Sequence, residues 1–120
     1  MNGAAERKRI LVVEDDRDTR ELVRRWLEED AAYEIAAYPS AEDALEASRE
    51  SSFDLVMTDV MLPGISGYEL TDQIAPVPVL IVSVTDFEDL PNETGAVGFL
   101  SKPFSRAGLE RAVRRALAAG

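Results

Sequence analysis

Three carboxylates, a hydroxyl and a lysine stand at or just past the ends of short apolar runs. Glu14 and Asp15 follow Ile10–Val13, Asp59 follows Phe53–Met57 and Thr58, Ser83 follows Val77–Val82, and Lys102 comes two residues after Val97–Leu100. If those runs are parallel strands, all five residues share the sheet edge where open α/β sheets bind their ligands. Three carboxylates so placed repel one another and raise one another's pKa unless a cation joins them. With oxygen ligands alone that cation is expected to be Mg²⁺ or Mn²⁺, which takes few carboxylates and keeps several waters. Lys102 can neutralise a carboxylate at rest and grip an added anionic group later, and the Ser83 hydroxyl can hydrogen-bond the same group. Such a set suits transfer of a phosphoryl group to a carboxylate. Metal and lysine would offset charge on the equatorial oxygens while Asp59 attacks in line.

The elements that must position these residues can be read from periodicity. Ile10–Val13 is a β-branched-rich run, followed by Leu22, Val23, Trp26 and Leu27 at helical spacing. Tyr33–Tyr38 reads as an Ala-rich strand. Ser40 with Asp43 is a capping-box-like start for a helix with Ala41, Ala44, Leu45 and Ser48 on its inner stripe. Phe53–Met57 is a third strand, and a turn from Pro63 to Gly67 leads to a brief helix over Tyr68–Ile74. Val77–Val82 and Val97–Leu100 are further strands, and Ser105 caps a last helix burying Leu109, Ala112, Val113, Ala116 and Leu117. This alternation predicts an α/β domain with a parallel sheet covered on both faces. Between Thr85 and Gly95, Pro91, Asn92, Thr94 and Gly95 oppose a regular helix, so the fourth helix is expected to be short or irregular. A flexible N-terminal tail over residues 1–8 and a domain over 9–118 complete the expected organisation.

Composition narrows the chemistry. The chain has 120 residues, 46% hydrophobic and 30% charged, the balance of one globular domain. No apolar run approaches the roughly 20 residues needed to cross a bilayer, and the run after Arg7, Lys8 and Arg9 is too short for a signal-peptide core. Cysteine and histidine are both absent. Disulfides, thiolate metal sites, imidazole bases and Ser-His-Asp chemistry are thereby excluded. Thirteen basic against twenty-three acidic residues leave a net charge of −10, which repels nucleic acid and favours cations or basic partners.

Three stretches carry a family resemblance. They are Ile10 to Asp16 (ILVVEDD), Asp54 to Gly67 (DLVMTDVMLPGISG) and Phe99 to Phe104 (FLSKPF), in that order. The chain resembles a response-regulator receiver domain, the phospho-accepting half of two-component signalling, from about Arg9 to Leu117. The resemblance implies a flavodoxin-like (βα)5 fold whose five-stranded parallel sheet runs 2-1-3-4-5. It also implies that Asp59 is the phosphorylated residue and that Glu14 and Asp15 hold Mg²⁺ together with Asp59 and the backbone carbonyl of Met61. Ser83 resembles the switch hydroxyl, Lys102 the family's lysine and Phe99 its aromatic switch position. The Lys102–Pro103 bond resembles one held cis, a conformer cheap only before proline. The implied partners are a sensor histidine kinase or histidine phosphotransfer protein, which must supply the phosphoryl group because this chain has no histidine, and an output protein or domain that the sequence does not name. The implied setting is cytoplasmic, with no membrane or direct nucleic-acid contact, and the module is not a turnover enzyme. The chain is expected to be either a stand-alone receiver or part of a longer regulator.

Each residue also has an ordinary structural explanation. The acids at 14–16 could be solvated strand-end residues, Asp59 a turn cap, Lys102 an exposed loop lysine, Ser83 a filler in a buried turn and Phe99 a core aromatic. Arg111, Arg114 and Arg115 read as the wet face of the last helix. Val84 departs from the small residue usual in the family and is expected to crowd the approach to Asp59. A phosphorylation-independent docking module is the alternative function, favoured by Val84 and the weak fourth helix. A phosphohydrolase with an aspartate nucleophile is disfavoured, because Met61 stands where such enzymes place their acid.

Overall fold

The computed structural model describes residues 7–84 and 95–119. Its elements are β1 (Lys8–Val13), α1 (Arg17–Glu28), β2 (Tyr33–Tyr38), α2 (Ala41–Glu50), β3 (Leu55–Asp59), α3 (Gly67–Ile74), β4 (Val79–Ser83), β5 (Gly98–Ser101) and α4 (Arg106–Ala119). All four strand pairings are parallel, and the order is β2-β1-β3-β4-β5, as expected. The expectation of a short or irregular helix falls on residues 85–94, outside the described residues. β1 opens at Lys8, at the end of the stretch expected to be a tail.

Strand alternation divides the core into two layers. Ile10, Val12, Leu55, Met57, Leu80 and Val82 face α1 and α4, where Val23, Leu27, Leu109, Val113 and Ala116 meet them. Leu11, Val13, Val56, Val79 and Ile81 face α2 and α3, packing on Ala41, Ala44, Leu70 and Ile74. Leu22, grouped above with the inner stripe of α1, is instead exposed. Val23, Trp26 and Leu27 cover that stripe by themselves.

Side-chain caps start the helices. Asp16 accepts from the Thr19 amide, Ser40 from Asp43, Ser66 from Glu69 and Ser105 from Gly108, each satisfying an amide that the helix itself cannot. β3 lies two residues later than its apolar run suggests. Phe53 stays outside the strand with the Arg9 guanidinium 4.8 Å over its ring. Thr58 is fully buried inside the strand, its hydroxyl donating to the Asp59 carbonyl at 2.9 Å.

Candidate functional site

Register brings the polar residues to one edge. Val13 pairs with Thr58, Asp59 with Val82 and Ser83 with Ser101, so the residues that end or follow β1, β3, β4 and β5 lie side by side. The Lys102 amide donates to the Ser83 carbonyl at 2.9 Å and thereby carries the sheet pattern one residue further. Lys102 Nζ then reaches back across the edge, donating to Glu14 Oε1 at 2.5 Å and to Asp59 Oδ2 at 2.6 Å. Glu14, Asp15 and Asp59 can each offer one oxygen such that all three lie within 4.8 Å of one another. Three carboxylate oxygens without nitrogen or sulfur form a donor set for a hard divalent cation.

Burial sets the electrostatics. Glu14 is only 5% exposed, and desolvation pushes its carboxyl above the usual range although the Lys102 hydrogen bond opposes the shift. For Lys102, burial disfavours the charged form. The hydrogen bonds to Asp59 and Glu14 outweigh it, and the ammonium titrates above its ordinary value.

The loop after β3 is built back against that strand. The Met61 amide donates to Asp59 Oδ1 at 3.2 Å, so Asp59 does cap its own turn, and it does so while facing the acid cluster. The Met61 side chain is exposed. Gly67 donates to the Val60 carbonyl at 3.0 Å. A Cβ at Gly67 would land on the Asp59 carbonyl oxygen and within 3.0 Å of Val60 Cα, so only glycine permits this approach. Gly64 turns with φ +82° beneath the Glu42 carboxylate, which accepts from the Ile65 amide at 3.4 Å.

The loop after β1 is pinned as closely. The Glu14 amide donates to the Tyr38 carbonyl at 3.1 Å, and Glu14 Oε2 accepts from the Asp16 amide at 3.2 Å. Asp16 accepts from both the amide and the hydroxyl of Thr19, which hold its carboxyl below the usual range. Arg20 Nη1 donates to the Glu14 carbonyl at 2.9 Å and to the Asp15 carbonyl at 3.4 Å. Sequence reasoning passed over Arg20, whose signal was a basic residue one turn into the helix that follows the acidic loop.

The response regulator receiver domain model matches residues 10–114. The chain belongs to this family. The receiver is 37% identical over 119 residues to the transcriptional regulatory protein CseB of Streptomyces avermitilis, covering 94% of this chain and 50% of that one. It is 37% identical over 117 residues to the response regulator protein FleR of Pseudomonas aeruginosa, covering 91% of this chain and 24% of FleR. It thus spans half or less of these curated relatives. Among solved structures it resembles a putative response regulator from Chloroflexus aurantiacus at TM-score 0.85 and 30% identity, covering 94% and 99% of the two chains. It also resembles the chemotaxis response regulator CheY4 of Vibrio cholerae at TM-score 0.83 and 27% identity, covering 92% and 98%.

The remaining expected residues lie on β4, β5 and the segments that follow them. Ser83 ends β4, fully buried and one residue beyond the partner of Asp59. The Lys102–Pro103 bond is cis, as the resemblance implied, and so is Ala75–Pro76. Phe99 is not a core aromatic: it is 39% exposed, while its neighbour Leu100 packs into the α1/α4 layer. Successive strand residues point to opposite faces, and Leu100 holds the inward place. Val84 is 75% exposed. It lines a groove of about 390 Å³ beside the cluster with Thr19, Leu22, Lys102, Pro103 and Phe104.

Proposed function

We propose that this receiver accepts a phosphoryl group on Asp59 from a histidine-phosphorylated partner, with Mg²⁺ bound, and thereby switches the binding of an output protein. The observation that carries the reading is the convergence of Glu14, Asp15 and Asp59 around oxygens within 4.8 Å, with Lys102 spanning Glu14 and Asp59. The donor set fits Mg²⁺, which Glu14, Asp15, Asp59 and the Met61 carbonyl would hold. When bound, Mg²⁺ supplies positive charge that offsets the oxygens of the phosphoryl group. An Asp59 carboxylate oxygen attacks phosphorus in line. The Asp59 O–P bond forms as the donor's N–P bond breaks, and the imidazole leaves with its electron pair and takes a proton from solvent. Lys102 keeps its ammonium at the site and pairs with the added anion.

The new group adds about −1.5 to −2 charge. In this reading the Ser83 hydroxyl, on the strand beside that of Asp59, hydrogen-bonds the new group, and Phe99 on the outer strand is the aromatic whose packing would report the change. The partner is a sensor histidine kinase or a histidine phosphotransfer protein. The groove at Leu22, Val84 and Phe104, which Lys102 also lines, offers it an apolar footing. As in the family, we place this module in the cytoplasm and read it as a switch more than a turnover enzyme.

Intact mass after incubation with a small acyl-phosphate donor tests the reading. A Mg²⁺-dependent gain of one phosphoryl group is expected, absent from Asp59→Asn. No gain under any condition would overturn it and leave a docking module that works without phosphorylation.

A further inference from the structure

Arg20 holds the backbone of the acid pair and touches none of the three carboxylates. Its Nη1 donates to the carbonyl oxygens of both Glu14 and Asp15, which belong to the two peptide planes on either side of Asp15. Because each peptide unit is planar, holding both flanking planes sets φ and ψ of Asp15 and so the direction of its Cα–Cβ bond. Asp15 needs such a device more than its neighbours. Glu14 and Asp59 are each tied to Lys102, and Glu14 also receives the Asp16 amide, whereas Asp15 is exposed at the rim, its side chain meeting the like-charged carboxyl of Glu14.

Resting on the phospho-acceptor reading, we propose that Arg20 is a positioning residue for metal binding, one that aims Asp15 at the cation by fixing the peptides around it. The arginine is half-buried at the first turn of α1, and its own amide donates to the Asp16 carbonyl at 2.9 Å. The loop is therefore closed onto the helix at both the backbone and the side chain. Arg24, the next arginine on the same helix, instead bridges Glu21 and Glu28 on the surface.

Charge and position predict opposite signs, which makes the role testable. The guanidinium repels a divalent cation, so its removal would tighten Mg²⁺ binding if charge were its only contribution. Loss of the positioning contacts weakens binding, by roughly tenfold at the lower end of what outer-shell partners of metal sites contribute. Calorimetric titration of Mg²⁺ into the wild type, Arg20→Met and Arg24→Met reads this directly, with melting of the metal-free proteins alongside. We expect affinity about tenfold lower in Arg20→Met and within about twofold in Arg24→Met. Equal or tighter binding by Arg20→Met overturns the role. So does a lower melting temperature with unchanged affinity, the mark of a merely structural contact. A wild type that binds no Mg²⁺ overturns the phospho-acceptor reading and this role together, whereas wild-type binding matched by Arg20→Met overturns this role alone.

Discussion

Glu14 and Asp15 are adjacent in the chain yet live in different media, one buried and tied to Lys102, the other exposed. Burial raises the Glu14 pKa on folding, so the native state holds that proton more tightly than the unfolded chain does. The stability this contributes is complete below the ordinary glutamate range and is lost as pH rises through the folded value. At neutral pH the charged Glu14 therefore costs the metal-free protein stability. Glu14→Gln is expected to melt roughly 2–5 °C higher at pH 7 without metal and to bind Mg²⁺ more weakly. The melting gap should close below about pH 4, which circular dichroism across pH 4–8 would show. Asp59, Glu14 and Lys102 were legible because acid and base at the ends of apolar runs have few other uses in one place. Arg20 was passed over, because a basic residue early in a helix is ordinary and its acceptors here are backbone carbonyls, which no residue type reveals. Phe99, assigned to the switch position, also carried a core reading, because apolarity does not say which of two strand faces a residue takes.

Turns and caps do most of the positioning. Gly67 presses its bare Cα against the Asp59 backbone, coupling the start of α3 to the end of β3. Gly67→Ala should cost about 1–3 kcal/mol in chemical denaturation, the range for overpacking, and should slow phosphoryl uptake by displacing Asp59. Leu22 is an apolar residue left outside on α1, next to the groove that Val84 also lines. Leu22→Ala is expected to slow transfer from a protein donor about fivefold to tenfold, as truncation of an interface anchor does. Uptake from a small acyl phosphate, which needs no docking surface, should stay within about twofold. Helix starts were legible from Ser40 and Ser105, whose side chains do cap. The ends of β3 were not: Phe53 is apolar outside the strand and Thr58 polar within it, because a ring can be satisfied by Arg9 and a hydroxyl by a neighbouring carbonyl.

Taken whole, the molecule is a parallel sheet between two helical layers, and alternation of apolar runs with helical stripes was enough to read that plan. Strand order was not in the periodicity; it came with the family resemblance. A net charge of −10 on 120 residues adds self-repulsion to the folded state, and salt screens it over a Debye length of about 10 Å at 0.1 M. Raising NaCl from 20 to 500 mM should therefore raise the melting temperature of the metal-free protein; a fall would mean that screened ion pairs such as Arg24 with Glu21 and Glu28 outweigh the repulsion. Among the described residues no helix is long and apolar enough to cross a membrane.

The bridge from Lys102 to partners 88 and 43 residues earlier has a consequence for how the protein is made. On the ribosome, Glu14 and Asp59 emerge well before Lys102, the cation that bridges them. The lysine reaches the acids from the end of β5, so it takes its place once β5 has joined the sheet edge. A nascent chain halted before β5 lacks the ammonium that joins Glu14 to Asp59. The charge balance of the acid cluster thus waits on β5, whose end supplies its cation 43 residues after Asp59.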